Sequence, residues 1–306
     1  MKCVLLTGAT GFIGSHSLSP LISKGYEVHA ISTNPPLGCN NPVIWHKANL
    51  FQSEIVDQVV EEVQPSHLMH LAWYTNPKLY WNSTENVSWV KASLDLIDSF
   101  IRNNGKRITI AGSCAEYNWN YGYCSERYTP LEPSSLYGVC KNSLHSIVNK
   151  VTEEVGLSSS WGRVFFLYGP GEPREKLVTS VIQSLSDNQP IKTASGNEIR
   201  DYLYVQDVAD AFVELMDSTV QGPVNIGSGK PLAIGHILDL IGAQMQKNNL
   251  IQRGAINTVE NYPFLVANTE RLNNEVGWFP TYSISEGINL SIDRYNNSNL
   301  LSRPYH

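Results

Sequence analysis

The stretch Gly8-Ala9-Thr10-Gly11-Phe12-Ile13-Gly14 decides the fold of this chain. It follows the apolar run Cys3-Val4-Leu5-Leu6, which predicts a buried strand, and it opens a segment that predicts a helix. Glycines permit a tight turn and let backbone N–H groups approach a pyrophosphate, while the first turn of a helix adds partial positive charge. The stretch therefore predicts a strand, a glycine turn and a helix that bind a dinucleotide. Pro20 in that helix should remove one hydrogen bond and bend it.

Strand and helix patterns alternate after this unit. Apolar runs at residues 27–31, 66–72 and 107–111 predict buried parallel strands, and residues 55–63 and 94–101 carry the apolar spacing of helices. This alternation is typical of a Rossmann-like, doubly wound parallel sheet, so we expect an α/β fold.

Four later elements follow from the same patterns. They are a helix over residues 136–154, a strand over 160–166, a helix over 205–216 and a strand over 223–226. We expect residues 1–166 and 203–227 to form the Rossmann dinucleotide-binding domain. Residues 167–202 and 228–306, with shorter elements and more turns, should form a smaller, discontinuous α/β substrate-binding lobe.

Composition excludes several classes of protein. The 306 residues are 42% hydrophobic and 16% charged, which is ordinary globular composition. The net charge of −6, without any basic run, argues against nucleic acid as a partner, and no apolar run is long enough for a membrane span. The first strand meets Gly8 too soon for a signal-peptide core. Five cysteines without a C-x-x-C pair predict neither a disulfide framework nor a metal site, and they favour a cytoplasmic location.

The end of the second predicted strand bears on the choice of cofactor. In dinucleotide-binding folds an acidic side chain at this place holds the adenosine ribose 2′-hydroxyl. Here Ser32, Thr33 and Asn34 offer small polar groups and no carboxylate that would repel a 2′-phosphate. NADP is therefore favoured, and NAD stays possible because no arginine is present.

Tyr137 and Lys141 are candidate catalytic residues. They begin a predicted helix four residues apart, so they share one face. A nearby ammonium favours the ionised phenol, which brings Tyr137 into range for proton exchange with a sugar hydroxyl or carbonyl. Ser113 ends a predicted strand, where ligands meet an open α/β sheet, and its hydroxyl can polarise a substrate oxygen.

Together these motifs resemble the extended short-chain dehydrogenase/reductases, in particular the nucleotide-sugar epimerases, dehydratases and reductases. The resemblance covers almost the whole chain. It includes the glycine stretch, His70-Leu71-Ala72, the Ser113, Tyr137 and Lys141 set, Arg163 through Gly171, Arg200-Asp201-Tyr202, Asn225 through Gly229, and Gly277-Trp278 with Pro280.

The resemblance implies roles for these residues. Ser113, Tyr137 and Lys141 would be the catalytic triad, and Asn49, beside Leu50, would face the adenine. Arg200 would meet the substrate pyrophosphate. The cofactor-binding set would be Gly8, Thr10, Gly11, Phe12, Ile13, Gly14, Ser32, Thr33, Asn34, Asn49, Leu50, Leu71, Ala72, Tyr137 and Lys141. The substrate-binding set would be Trp73, Tyr74, Asn86, Ser113, Arg174, Lys176 and Arg200, with no metal ligand.

Three departures from the family pattern narrow the chemistry. Cys114-Ala115 replaces the Asp-Glu pair of members that eliminate water across C5 and C6, which argues against 4,6-dehydration. Members that reprotonate C3 or C5 use a Cys and a His, but Cys114 is one position away and Gly171-Glu172 stands where the His would be. Phe166 replaces an Asn that touches the substrate phosphates in many relatives. Those contacts must then come from Arg200, Arg174 or Lys176.

We therefore expect an NADPH-dependent reductase of the 4-keto group of a nucleoside-diphosphate 4-keto-6-deoxyhexose, working in activated-sugar biosynthesis. The alternative is a nucleotide-sugar 4-epimerase with tightly bound NAD, which needs the same three residues. A non-catalytic NADP-sensing protein is a third hypothesis. Family likeness further predicts a homodimer formed through the helices that contain residues 94–101 and 144–151.

Overall fold

Fifteen strands and eight helices are found in the computed structural model, which describes residues 2–36, 42–256 and 262–301. The strands are β1 (Lys2–Thr7), β2 (Tyr26–Ser32), β3 (Val43–Lys47), β4 (His67–His70), β5 (Arg107–Ser113), β6 (Tyr123–Cys124), β7 (Ser158–Val164), β8 (Phe166–Tyr168), β9 (Ile191–Lys192), β10 (Ile199–Arg200), β11 (Tyr202–Tyr204), β12 (Gly222–Ile226), β13 (Leu232–Ala233), β14 (Ile251–Gln252) and β15 (Phe264–Ala267). The helices are α1 (Phe12–Ser23), α2 (Ser53–Val63), α3 (Glu85–Arg102), α4 (Leu136–Val155), α5 (Leu177–Ser186), α6 (Val205–Asp217), α7 (Ile234–Gln244) and α8 (Ile284–Leu301).

The main sheet has seven strands in the order β12-β7-β5-β4-β1-β2-β3, and every pair in it is parallel. Successive side chains of β1 point to opposite faces, so Val4 and Leu6 join the apolar cluster under α1 and α6, while Leu5 joins the cluster under α2, α3 and α4. Helices on both faces bury the sheet, as parallel sheets require. The predicted Rossmann-like α/β fold is confirmed.

The order of the main sheet reverses beside β1, where β2 lies on one side and β4 on the other. At such a switch point the loops after two neighbouring strands separate and leave a crevice at their carboxyl ends. The glycine turn after β1 and the segment Leu71–Ala72 after β4 meet at this crevice.

Smaller sheets make up the rest of the described chain: β13-β10-β15-β6, β11-β8 and β14-β9. Helices α5, α7 and α8 bury a separate apolar cluster that includes Val181, Ile237 and Ile288. The two-domain division with its boundaries stays a prediction. Within the described ranges, every helix is too short or too polar to cross a lipid bilayer.

The main sheet departs from the sequence prediction in two places. The run predicted as one strand over residues 160–166 is two, because the chain leaves the main sheet at Phe165. The Phe165 N–H donates to Ile226 O of β12 at 3.0 Å, whereas the Phe166 N–H donates to Asp201 O at 3.1 Å. Edge strand β3 was missed, since its half-exposed residues lack a continuous apolar run.

Pro20 lies inside α1, which continues to Ser23. A proline has no N–H, so it leaves the carbonyl of the residue four positions earlier, His16, without its helical donor. The Gln206 side chain of α6 fills this place: its Nε2 donates to His16 O at 3.2 Å. The hydrogen bond that Pro20 removes is thus supplied by a neighbouring helix.

This arrangement predicts a coupling between the two positions. Replacing Gln206 with Ala should lower the free energy of unfolding by about 1 kcal/mol, because a half-buried carbonyl loses its donor. In a Pro20→Ala background the new N–H serves the same carbonyl, so the cost of Gln206→Ala should fall by half or more. Urea denaturation of the four proteins of this double-mutant cycle measures the coupling. Equal costs in the two backgrounds would show that Gln206 does not compensate for Pro20.

Candidate active site

A cavity of about 740 Å³ opens at the carboxyl edge of the main sheet. Its walls come from the loops after β1, β2, β3, β4 and β5, from α3, from the start of α4, from the segment between β7 and α5, and from β11. The lining residues are Gly8, Thr10, Gly11, Phe12, Ile13, Gly14, Ile31, Ser32, Thr33, Ala48, Asn49, Leu50, Phe51, Leu71, Ala72, Trp73, Thr75, Tyr80, Trp81, Trp89, Ala111, Gly112, Ser113, Cys114, Trp119, Tyr137, Lys141, Val164, Phe165, Phe166, Leu167, Glu172, Pro173, Lys176, Leu177 and Tyr202.

The glycine turn requires glycine for packing reasons that the backbone shows directly. Gly8 has a φ of +75°, and a Cβ there would lie 2.7 Å from the N atom of Ala72. A Cβ on Gly14 would lie 2.1 Å from Gly8 O, so the first turn of α1 packs against the turn itself. With Gly11 as N-cap, the unpaired N–H groups at the start of α1 lie at the cavity, and this donor set fits a dinucleotide pyrophosphate.

The wall next to β2 consists of small polar groups. Ser32 is buried, and its Oγ accepts from the Asn34 N–H at 3.1 Å and lies 3.5 Å from Thr10 Oγ1. Thr33 and Asn49 complete this part of the wall. Within the described residues that line the cavity here, no carboxylate is present.

Ser113 ends β5 and caps the short turn Cys114–Glu116. Its Oγ accepts the N–H of Ala115 at 3.2 Å, while its own backbone N–H donates to Glu116 Oε1 at 2.7 Å. The Glu116 carboxylate is fully buried and also accepts from Trp161 Nε1 at 2.9 Å and from Arg163 Nε at 2.7 Å. These bonds fix the loop that carries the Ser113 hydroxyl.

Tyr137 lies in the first turn of α4, which Ser135 caps through the Gly138 N–H at 3.2 Å. The backbone N–H of Tyr137 donates to Trp81 O at 2.9 Å, which ties the helix to the loop after β4. Its ring is surrounded edge-to-face by Tyr80 at 5.1 Å and Trp81 at 5.8 Å between centroids. Burial raises the pKa of the Tyr137 phenol, and a hydrogen bond with the Ser113 hydroxyl opposes this rise.

Lys141 lies one helical turn after Tyr137 and is buried. Its Nζ donates to Ala111 O at 2.7 Å and lies 3.7 Å from the centroid of the Trp73 ring. Burial lowers the pKa of the ammonium to about 7, and the charge of Glu116 counteracts that change. Ser113, Tyr137 and Lys141 thus line one cavity together with the glycine turn.

The far end of the cavity combines aromatic rings with two charged groups. Lys176, the N-cap of α5, holds its Nζ 5.3 Å from the centroid of the Tyr80 ring. Glu172 is buried, and its Oε2 accepts from both the N–H and the hydroxyl of Thr179 at 3.0 and 2.7 Å. Burial raises the pKa of Glu172 to about 7, although those two hydrogen bonds and Lys176 lower it.

Five predicted site residues lie outside the cavity wall: Asn34, Tyr74, Asn86, Arg174 and Arg200. The Asn34 and Arg174 side chains are exposed beyond the rim, and Tyr74 packs into the core beside α3. Arg200 lies behind Phe166, with Cζ 5.6 Å from that ring centroid, and donates to Ile199 O.

Asn86 differs most from its predicted role. It is fully buried, with Nδ2 donating to Tyr80 O and Ser83 O at 2.7 and 2.8 Å, and Oδ1 accepting from Trp73 Nε1 at 2.9 Å. Both amide hydrogens and the amide oxygen of Asn86 bond to the segment between β4 and α3, so the side chain holds that segment and does not line the cavity.

The predicted site residues leave out several residues that line the cavity, among them Phe166, Glu172, Tyr202 and Trp89. Phe166 and Glu172 entered the sequence analysis only as departures from the family pattern. Phe166 and Tyr202 are direct neighbours in the pairing of β8 with β11, and both stand within motifs quoted for the family resemblance. That position was the available signal for the two residues. Trp89 had no signal beyond its helical spacing.

Cysteines and metal ligands add no further chemistry to the site. Cys3, Cys114, Cys124 and Cys140 are free thiols, whereas Cys39 lies outside the described residues. Burial raises the pKa of the Cys114 thiol, so this cavity residue is neutral. In the described part of the chain, no group of three His, Cys, Asp or Glu side chains is arranged to hold a metal ion.

A Rossmann-like sheet, a G-x-x-G-x-x-G turn and a cavity shared by a serine, a tyrosine and a lysine define an extended short-chain dehydrogenase/reductase of the nucleotide-sugar type. The profile of the NAD dependent epimerase/dehydratase family matches residues 4–227. The chain belongs to this family.

Individual relatives agree with that assignment. A putative UDP-glucose 4-epimerase of Methanocaldococcus jannaschii is 26% identical, in an alignment that covers 97% of this chain and 99% of that protein. A dTDP-6-deoxy-L-talose 4-dehydrogenase (NAD(+)) of Aggregatibacter actinomycetemcomitans is 26% identical over 76% of this chain and 86% of its own. The structure of Thermotoga maritima UDP-glucose 4-epimerase with UDP-glucose superposes with a TM-score of 0.87 at 20% identity, over 97% of this chain and 99% of that one, and shares the fold.

Because Glu116 and Arg163 form a buried ion pair, removing the charge of Glu116 should strongly lower the stability of the protein. Glu116→Gln leaves the Arg163 guanidinium buried without a counter-charge, so the free energy of unfolding should fall by about 3 kcal/mol. Glu154→Gln removes a carboxylate from an exposed pair with Lys150 and should leave the free energy of unfolding nearly unchanged. Urea denaturation measures both, and similar losses in the two variants would refute a special role for the buried pair.

Proposed function

We propose that the protein is an NADPH-dependent reductase of the 4-keto group of a nucleoside-diphosphate 4-keto-6-deoxyhexose, acting in activated-sugar biosynthesis. The observation that carries the proposal is the single cavity that joins the glycine turn to Ser113, Tyr137 and Lys141. Cys114-Ala115 at the next two positions offers no acid and base for dehydration. The name of the Aggregatibacter relative, a 4-dehydrogenase of a 6-deoxy sugar nucleotide, supports hydride chemistry at C4, although it gives NAD as the cofactor.

The residues that would hold the cofactor form the inner half of the cavity. The start of α1 would bind the pyrophosphate, Ser32 and Thr33 the adenosine ribose with its 2′-phosphate, and Asn49 with Leu50 the adenine. Hydride delivery to C4 is the chemistry that NADPH supplies when bound. Leu71 and Ala72 border the same half.

Tyr137 would donate the proton to the C4 oxygen. Its raised pKa keeps the phenol protonated at neutral pH, which is the form that a reduction consumes. The Ser113 hydroxyl would orient the same oxygen, since its backbone is fixed by Glu116 and its Oγ lies in the cavity wall. The Lys141 ammonium would hold the nicotinamide ribose and stabilise the phenolate that remains when Tyr137 has given up its proton.

The outer half of the cavity would bind the sugar nucleotide. Lys176 and the N-terminal end of α5 would contact the diphosphate, because Phe166 offers no polar atom and Arg174 and Arg200 lie outside the wall. Trp73, Trp81, Trp119 and Tyr202 offer ring faces and edges for the sugar and base.

A nucleotide-sugar 4-epimerase with tightly bound NAD is the second candidate. The names of the Methanocaldococcus and Thermotoga proteins favour it, and it requires the same three residues. The two candidates differ in whether the cofactor is exchanged at every turnover. A non-catalytic NADP-sensing protein is the third candidate.

We further propose a cytoplasmic homodimer. Exposed apolar side chains follow one stripe of α4, at Val139, Ile147, Val151 and Val155, which supports an interface that involves this helix.

Catalysis is tested with NADPH and a panel of nucleoside-diphosphate 4-keto-6-deoxy sugars. Tyr137→Phe should lower kcat at least 100-fold, because the proton donor is lost, while NADPH affinity stays within about threefold. Absorbance of the reduced nicotinamide measures turnover. Tyr128→Phe is the matched control, since Tyr128 is 82% exposed and lies outside the cavity.

The outcomes separate the candidates. Undiminished turnover in Tyr137→Phe would exclude this mechanism. Interconversion of 4-hydroxy sugars without net NADPH oxidation would favour the epimerase. Absence of both activities together with NADPH binding would favour the sensing protein.

Cofactor preference is tested at Thr33. Thr33→Asp places a carboxylate where the 2′-phosphate would bind, so affinity for NADPH should fall about tenfold or more relative to NADH. Thr33→Asn, similar in size and neutral, is the control and should leave the ratio nearly unchanged. Isothermal titration calorimetry with both cofactors gives the ratio. No change in Thr33→Asp would show that the 2′-phosphate lies elsewhere.

A further inference from the structure

The Lys141 ammonium, which donates to the carbonyl of Ala111, also lies over the ring of Trp73. Lys141 Nζ lies 3.7 Å from the Trp73 ring centroid, well inside the distance at which an aromatic face attracts a cation. Both side chains are buried, at 9% and 3% exposed. A cation–π contact that excludes water is stronger than the same contact at a surface.

Trp73 also touches the other half of the catalytic pair. Its ring meets that of Tyr137 edge-to-face with 6.5 Å between centroids, so one indole contacts both the phenol and the ammonium. The indole cannot rotate freely, because its Nε1 donates to Asn86 Oδ1 at 2.9 Å. Asn86 is in turn held by Tyr80 O and Ser83 O.

We propose that Trp73 is a positioning residue for Lys141: its ring face, locked by Asn86, holds the ammonium beside Tyr137 and stabilises its charged form. This role deepens the proposed function, since it rests on Lys141 acting beside Tyr137. It also gives Asn86 a function in the site without contact to substrate.

The charged and titratable groups around Lys141 make the ring's contribution decisive. The charge of Glu116 favours the ammonium, but the Glu116 oxygens are bonded to Ser113 N, Trp161 and Arg163. On β4, His70 is neutral, because burial and the charge of Lys141 lower its pKa to about 3.

The Tyr137 phenol, one helical turn before Lys141, is protonated at neutral pH because burial raises its pKa. No carboxylate of the described residues bonds to Lys141 Nζ. The ring face and the Ala111 carbonyl are therefore the groups in direct contact that favour the charge.

The proposal is tested by measuring protonation of Lys141 itself. Acetic anhydride reacts only with the neutral amine, so competitive acetylation followed by peptide mass spectrometry gives the pH midpoint for this lysine. Trp73→Leu should lower the midpoint by about one pH unit, because the charged form loses the ring. The midpoint of Trp73→Phe, which keeps a weaker aromatic face, should lie between the midpoints of the wild-type protein and Trp73→Leu.

Two controls test whether the variants fold and whether the loss of any buried indole changes the midpoint. Trp278→Phe removes a buried indole outside the cavity and should leave the Lys141 midpoint unchanged. Circular dichroism verifies that each variant is folded. If Trp73→Leu does not fold, the midpoint of Trp73→Phe decides the test. An unchanged or raised midpoint in the folded Trp73 variants would overturn the proposal. The measurement needs neither cofactor nor sugar, so a failed reductase assay leaves its outcome intact.

Discussion

The buried carboxylate of Glu116 is the constraint on which the site depends. Removing a carboxylate and a guanidinium from water costs several kcal/mol, and the attraction between Glu116 and Arg163 offsets this only with good geometry and additional hydrogen bonds. Both conditions are met: three donors reach Glu116, one from Ser113 at the end of β5 and two from β7. Glu116 therefore fixes the Ser113 backbone relative to β7 of the main sheet. An apolar pair of equal volume would pack as well, but it would leave the N–H of Ser113 unpaired and the loop without a fixed position.

The same pair extends towards the smaller sheets. Arg163 Nη1 donates to the Tyr117 hydroxyl at 3.0 Å, and that hydroxyl donates to Asn225 Oδ1 at 2.8 Å. Asn225 then donates to Cys124 O of β6 and to Asn268 O after β15. A second buried acid, Asp201, accepts from the backbone at Ser228, Gly229 and Ala267. Hydrogen bonds of this kind are directional, so they fix β7 and β12 relative to β6 and β15 more strictly than an apolar contact would.

Prediction from sequence succeeded where a local pattern determines the structure. Buried strands, amphipathic helices and the glycine turn each follow from neighbouring residues, and the strand-end and helix-start positions of Ser113 and Tyr137 follow from them. The smaller sheets contain two-residue strands such as β9 and β10, which are too short for any periodicity. Contacts between residues distant in sequence could not be predicted either. Gln206, which donates to the carbonyl of His16, is 190 positions away from it. Trp73 reaches Lys141 only because β4 and α4 flank the same crevice. Asn86 stands in the helix that the family resemblance indicated, but its contacts turn it towards Trp73 and not towards the cavity.

The balance of charges around Lys141 follows from the same geometry. A buried ammonium bonded directly to a carboxylate would be held permanently charged and would be costly to move. Here Glu116 is committed to Arg163 and Trp161, and Lys141 contacts a carbonyl dipole and a ring quadrupole instead. These neutral partners compensate desolvation only in part, which explains why the pKa lies near 7 and not at the value of a solvated lysine. A group in this state responds strongly to any oxygen that arrives beside it, since each new acceptor favours the ammonium. In the proposed reaction, a ligand oxygen beside Lys141 would therefore increase the positive charge that acts on Tyr137, and this effect would be absent if a carboxylate were already bonded to the ammonium.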